Sequence, residues 1–265
     1  MKRKRAQAAR RPAEHLSAAD PVLAAIIAAA GPYTHKPEPG RPPFLHLARS
    51  IAHQQLNGTA ANTIFRRFIA LFPEPAGGSA EMPFPSPEQV LAMSDQQIRS
   101  AGFSFSKVAA VKDLAAQTLR GVVPDLTILE RLDNEEIIER LTTVRGIGRW
   151  TVEMMLMFQL GRPDVLPVAD FGVCNGFRLA YGLRGMPKPA ALAAFGQRWA
   201  PHRTAAAWYL WRAVDLARAG KLPVAPKPAP RVAMVRRKSA KQPAAKKKPR
   251  HSKAAKPKAK RQRRE

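Results

Sequence analysis

From residue 17 to residue 219, apolar side chains recur at intervals of three and four, in blocks punctuated by glycine and proline. That spacing lines them along one face of a helix, and no stretch alternates at the two-residue period of a half-buried strand. The first block, Ser17 to Ala30, has Ser17 or Asp20 to cap it, Pro21 for its first turn and Gly31-Pro32 to stop it. A Pro-rich loop over 33–43 leads into a helical pattern from Phe44 to Phe72, interrupted at Asn57-Gly58, a pair that favours a turn. Residues 73–87 read as a Pro/Gly loop. Helices follow over Ser94–Arg99 and Ser106–Leu119, split by Gly102, with a short turn over Leu126–Leu129. Asp133 caps a helix reaching Val144, with Glu135 and Glu136 in its first turn, where the helix dipole favours acids. After Arg145-Gly146-Ile147-Gly148 a second helix runs from Arg149 to Leu160. A loop containing Pro163 and Pro167 ends at Asp170, and helices then cover Phe171–Tyr181, Pro189–Ala200 and Arg203–Ala219. The pattern predicts an all-α fold.

Charge divides the chain in a way the apolar pattern does not show. The formal net charge is +26, but eighteen Lys/Arg against one Glu fall in 221–265 and six Lys/Arg with no acid fall in 1–12. Only +3 remains for 13–220. The expected organisation is a disordered basic arm over 1–13, a nearly neutral helical body over 14–220, and a disordered Lys/Pro/Ala-rich basic tail over 221–265. Such tails repel themselves and attract polyanions. A single cysteine, Cys174, excludes an internal disulfide framework and a four-cysteine iron–sulfur cluster. No apolar run approaches the ~20 residues that span a bilayer, and no secretory signal is apparent, so a cytoplasmic, nucleoid-associated protein without membrane contact is expected.

Candidate chemistry begins at the turn. Gly146 and Gly148 allow a tight reversal, and Ile147 between them can plug the small core beneath it. The second helix then presents free N–H groups at Gly148 and Arg149, a ready phosphate site. Taken alone, Gly-x-Gly is more often a plain helix–helix turn with a glycine cap. Asp170, between a loop and a helix, is by itself more often an ordinary N-cap than a functional carboxylate.

The set is more specific than its members. Gly146-Ile147-Gly148-Arg149-Trp150-Thr151, followed across a Pro-containing loop by Asp170, resembles the signature of the helix-hairpin-helix base-excision DNA glycosylase superfamily. Ile51-Ala52-His53-Gln54-Gln55-Leu56, the run from Gly102 to Lys107, and Trp199-Ala200-Pro201-His202-Arg203-Thr204 with Trp208-Tyr209-Leu210-Trp211 are similar to its alkylbase branch, the bacterial 3-methyladenine DNA glycosylase II family. Together they span roughly residues 20–220. The resemblance implies a bilobal helical fold with a DNA cleft between the lobes and no room for the N-terminal β lobe of some relatives. It places Asp170 on the family's catalytic aspartate, Trp150, Trp211 and Met154 in the base pocket, and Gln55 with Leu56 on the wedge that fills the gap left by a flipped base. Arg145, Gly146, Ile147, Gly148 and Arg149 become the phosphate-binding hairpin.

Those positions carry a chemical expectation. Breaking a nucleoside C–N bond builds positive charge on the sugar, which a fixed carboxylate stabilises while orienting or deprotonating water. Purines alkylated at N3 or N7 are cationic, attracted to aromatic faces and good leaving groups. Bifunctional relatives carry a lysine just after the hairpin, where this chain has Trp150, which cannot form a Schiff base. Trp199 and Trp208 are expected to pack in the core, Arg203 to organise structure through a carboxylate or carbonyl, and Asp164 to shape its loop. His53 could touch a phosphate or lie on solvated helix surface. No catalytic metal is expected, although the resemblance allows a monovalent cation on hairpin carbonyls. The expected partner is double-stranded DNA containing alkylated bases, bound by a monomer. Two other readings stay open on the sequence: a non-enzymatic, chromatin-like helix-hairpin-helix DNA-binding protein, and an adenine-mismatch or oxidised-base glycosylase, whose members often carry four clustered cysteines.

Overall fold

The computed structural model describes residues 12–38, 40–73, 76–79 and 82–224. Helical backbone over 12–19 (α1) meets Pro21–Ala30 (α2) at Asp20. Then come Pro43–His53 (α3), Gly58–Ala70 (α4), strands Gly77–Ser79 (β1) and Met82–Phe84 (β2), Pro87–Ala92 (α5), Asp95–Ser100 (α6), Phe105–Leu119 (α7) and Leu126–Leu129 (α8). Asn134–Leu141 (α9), Arg149–Phe158 (α10), Phe171–Ala180 (α11), Pro189–Gly196 (α12), a 3-10 turn Gln197–Trp199, and Arg203–Arg218 (α13) complete the body. The fold is helical, as the apolar spacing requires. β1 and β2 form an antiparallel pair, Gly78 opposite Pro83, within the segment expected to be loop.

The helices sort into two groups. α11 packs on α13, and α2 lies against both. In the other group α7 packs on α3 and α5, α3 on α4, and α10 on α9, with α10 also touching α3. One continuous buried cluster joins them, from Leu16 and Ile26 through Phe68, Leu114 and Leu156 to Phe177 and Leu210.

Side-chain caps set most boundaries. Asn57 caps α4, Ser94 α6, Ser104 α7 and Asp133 α9, each accepting a backbone N–H in the first turn. Four expectations need correction. Residues 12 and 13 are helical rather than part of a disordered arm, whose residues 1–11 lie outside the described chain. Ser17–Ala30 is two helices, not one, because the proline after Asp20 disfavours helical geometry there; Asp20 takes φ −152° and becomes the N-cap of α2. Pro87, expected to end the Pro/Gly loop, instead opens a helix over 87–92, α5, behind a reciprocal Ser86/Gln89 cap. The helix from Asp133 ends at Leu141, not Val144. Of the basic tail only 221–224 are described, and they form no regular element. No described helix is long and apolar enough to cross a membrane.

Candidate active site

The turn between α9 and α10 has the geometry of a backbone phosphate site. Gly146 sits at φ +79°, and a Cβ there would also lie 3.0 Å from the Ala110 methyl, so the position demands glycine twice over. Ile147 is buried beneath the turn. Gly148 caps α10 without any side-chain acceptor, so the Arg149 and Trp150 N–H groups at the start of the helix have no partner among the described residues, and a Cβ at Gly148 would meet nothing within 4 Å. The Arg145 N–H donates to Asp113 Oδ2 at 2.7 Å, which fixes the turn to α7 while the Arg145 side chain stays exposed. Arg149 differs. Its guanidinium forks onto Glu135 (2.8 and 2.5 Å) and reaches Glu153 Oε1 at 3.1 Å. Burial raises the Glu153 carboxyl, and Arg149 opposes that shift. The side chain of Arg149 therefore braces α9 against α10, and the hairpin offers this residue's backbone.

Facing the hairpin is the turn after α3. Gln55 adopts φ +59°, the only positive φ of a non-glycine residue in the described chain, a conformation costing about 1 kcal/mol or more. It is held there from both sides. Lys107 Nζ donates to the carbonyls of Ala52 (2.8 Å) and Gln54 (2.9 Å), and Gln54 Nε2 donates to the Gly146 carbonyl at 2.8 Å. Gln55 is exposed, and Leu56, 41% exposed, projects beside it. Lys107 is thus occupied in shaping this turn, and burial lowers its ammonium pKa.

Asp170 stands at the N-terminus of α11 with three donors on its carboxylate. Oδ1 accepts the Val173 N–H at 2.7 Å and the Trp211 indole N–H at 2.8 Å, and Oδ2 accepts the Trp150 indole N–H at 2.8 Å. The residue is an N-cap, and it is also the meeting point of the two tryptophans singled out above. Glycine makes the meeting feasible. A Cβ at Gly172 would lie 2.7 Å from Trp211 Cδ1, and one at Gly176, a turn on, would collide with the Leu210 carbonyl. One bare face of α11 thereby seats α13 close enough for Trp211 to reach the carboxylate. Oδ2, with one donor, keeps acceptor capacity toward the open side.

Trp150, Met154 and Phe158 lie at i, i+4 and i+8 on one face of α10. Phe158 stacks on Trp211 with ring centroids 5.9 Å apart. Across from this face, His46, Ser50 and His53 of α3 line the same cavity of about 310 Å³ as Met154 and Phe158, together with Lys36, Glu38, Arg41 and Arg49. Burial, then Arg41 and Arg49, pushes the His46 imidazole down to about 4. Burial, Arg49 and Lys107 lower His53 as well. His53 Nε2 is sealed from solvent, so this residue is not the solvated helix surface considered from sequence.

The loop carrying Asp170 is pinned at several points. Arg203 clamps Asp164 through Nε (2.7 Å) and Nη2 (2.8 Å), and Thr204 Oγ1 bridges the Val165 N–H and the Arg162 carbonyl. These are the loop-shaping and organising roles expected for Asp164 and Arg203. Trp199 is fully buried and Trp208 packs edge-on to Tyr33, both core roles as expected. The contributions of Lys107, Gln54, Phe158 and Gly172 were not anticipated. Helical spacing from Trp150 through Met154 could have pointed to Phe158; the other three act across long sequence separations. Among the described residues no cluster of three His, Cys, Asp or Glu could hold a metal.

Comparison with known proteins bears on this geometry. Residues 48–202 match the family described as HhH-GPD superfamily base excision DNA repair protein, and the chain belongs to that family. It is 41% identical over 214 residues to the DNA-3-methyladenine glycosylase 1 of Schizosaccharomyces pombe, covering 80% of this chain and 90% of that one. A solved structure of the S. pombe 3-methyladenine DNA glycosylase in complex with abasic DNA superimposes with TM-score 0.67 at 39% identity, over 78% of this chain and 98% of that chain. The Bacillus halodurans DNA-3-methyladenine glycosidase gives TM-score 0.61 at 34% identity, over 75% and 92%. By family, then, this is a DNA-binding protein of base-excision repair.

Proposed function

We propose that the chain is a monofunctional DNA glycosylase that releases alkylated purines, 3-methyladenine and 7-methylguanine among them, by hydrolysis of the N-glycosidic bond. The observation that carries the reading is the Asp170 carboxylate, held by Trp150 and Trp211 beside an aromatic-walled cleft and one loop away from the hairpin. The names of its relatives support the substrate class.

Each part has a task. The exposed N–H groups after Gly148, with Arg145 beside them, grip a backbone phosphate of the duplex. Gln55 and Leu56 enter the stack as the damaged nucleotide turns out. The extruded base meets Trp150, Trp211 and Met154, with Phe158 extending the aromatic wall. A cationic purine is attracted to those faces. As the C1′–N bond lengthens, the electron pair departs with the base, which leaves neutral, and Asp170 stabilises the positive charge at C1′. Water adds to C1′ and gives up a proton, leaving an abasic site in an unbroken strand. Trp150 offers no amine, and Lys107 is held on two carbonyls, so no covalent enzyme–sugar intermediate forms. The enzyme works as a monomer without cofactor. A monovalent ion on the hairpin carbonyls would have to share the Gly146 oxygen with Gln54. The basic segments 1–12 and 221–265 add salt-sensitive attraction to nucleoid DNA.

The test is a profile of bases released from methylated genomic DNA, set beside mismatched and oxidised duplexes, with borohydride added in parallel. Methylated purines should appear in the supernatant and no protein–DNA adduct should be trapped. Binding without release would favour the chromatin-like alternative, and release from mismatched or oxidised DNA alone would favour the other enzyme class.

A further inference from the structure

Arginines of this protein that are partly buried spend their guanidinium on an acceptor. Arg41 pairs with Glu38 (2.8 Å) and Arg203 with Asp164, while Arg140, Arg162 and Arg178 hold carbonyl or amide oxygens. Arg49 is the exception among the described residues: half-buried in α3, with neither a carboxylate nor a hydrogen-bond acceptor. It forms the wall between two cavities. One is the cleft beside Met154 and Phe158; the other is a groove of about 620 Å³ between α3 and α4. Arg41 lines both as well, and Arg66 of α4, exposed and likewise without a partner among the described residues, also lines the groove. Thr59 and Asn62 add neutral hydrogen-bonding groups, and among the described residues no carboxylate lines the groove. Its field is felt locally, since Arg41 and Arg49 both help hold His46 in the uncharged form.

Arg41 keeps Glu38, but the Arg49 and Arg66 guanidiniums face one groove with no counter-charge among the described residues, an arrangement relieved when something anionic lies between them. A planar guanidinium suits a phosphate, which it can grip through two parallel hydrogen bonds. The groove also begins next to the wedge turn: Thr59 follows Leu56 by three residues, at the start of α4. DNA engaged by that turn is the anion within reach.

We propose that the Arg41–Arg49–Arg66 groove is a second phosphodiester-binding surface, continuing from the wedge along α3 and α4 and separate from the hairpin. The proposal rests on the chain engaging DNA at the wedge. It extends the backbone contact to a face that no glycine hairpin serves, and it lets the Arg49 charge that flanks the base cleft be neutralised by the DNA itself.

The experiment measures equilibrium binding of the full chain to a duplex carrying an abasic site, across a salt series, for wild type, Arg66→Ala, Arg49→Gln and Arg67→Ala. Arg67 is exposed on α4 but does not line the groove, so it controls for lost net charge. Arg66→Ala and Arg49→Gln should each weaken binding about five- to tenfold near physiological salt and flatten the slope of log K against log salt by about 0.9. Arg67→Ala should change it less than about twofold. Methylphosphonates placed singly along the duplex should include one position whose neutralisation weakens wild type but leaves Arg66→Ala unmoved. The proposal falls if Arg66→Ala keeps the wild-type slope, or if every methylphosphonate weakens both proteins equally. Because binding is read without base release, an absence of glycosylase activity would sink the proposed reaction and leave this result standing.

Discussion

Asp20 and Asp170 have nearly the same immediate surroundings. Each caps a helix and holds two aromatic donors besides the backbone. Asp20 accepts the Val22 and Leu23 N–H groups on Oδ1, and Tyr181 Oη (2.5 Å) and Trp199 Nε1 (2.9 Å) on Oδ2. Asp170 accepts Val173, Trp211 and Trp150. What separates them is access. Asp20 is 2% exposed and its aromatic partners are fully buried, whereas Trp150 is 47% exposed and Asp170 is only partly covered. Asp20 fastens α1 and α2 to α11 and the turn before α13, and nothing can reach it. The same device, opened to a cleft, has a lone pair left for chemistry. Hydrogen bonding and capping therefore do not distinguish the structural carboxylate from the one proposed to react; the loss of cover does.

That comparison can be broken at either end. The largest effect belongs to Asp170→Asn, which keeps the cap but removes the charge. Excision should fall roughly a thousandfold while abasic-DNA binding persists and the melting temperature moves by only a few degrees. Single-turnover base release beside a thermal melt checks it. Asp20→Ala should behave in the opposite way. Four buried donors lose their acceptor, at a cost of about 3 kcal/mol or more, seen as a melting temperature lower by about 10 °C, with single-turnover release per folded molecule near wild type. Gly172→Ala keeps both carboxylates but pushes Trp211 off Asp170. It should lower the rate about tenfold and leave stability close to wild type, since alanine is the better helix former. The smallest effect distinguishes the donors themselves. Burial, and then the charge and hydrogen bond of Asp20, raise the Tyr181 phenol well above its usual range. A raised folded-state pKa stabilises the fold below about pH 10 and is lost as pH climbs beyond that, where the unfolded chain ionises first. Wild-type melting temperature should therefore drop between pH 10 and 11.5, and drop less steeply in Tyr181→Phe. The indoles on Asp170 do not titrate and add no such slope.

The parts legible in the sequence were those whose chemistry is local. The cap at Asp133 acts over three residues, and the reversal at Gly146 needs only its own φ, so that helix start and the hairpin follow from neighbouring letters. The break at Asp20 was left open because Ser17 competed for the same role, and Pro21 fits the first turn under either choice. α5 was missed although Ser86 and Gln89 spell a reciprocal cap, because the prolines around it outweighed that signal. Asp170 could be named only through resemblance, and its two indole bonds span 20 and 41 residues. Lys107 was read only as the end of the matching run from Gly102, with no role assigned. Its carbonyl partners lie 53 and 55 residues away, and no periodicity announces them.

The bond from Gln54 to the Gly146 carbonyl has a mechanical meaning. It couples the turn bearing Gln55 to the glycine hairpin, so the span between the two behaves as a fixed gauge. If both turns engage DNA as proposed, a duplex presented to them must do the bending. Stiff, well-stacked steps resist, and steps weakened by damage yield at lower elastic energy. Part of the discrimination between sound and damaged DNA would then reside in the stiffness of the substrate, read before any base reaches the aromatic wall.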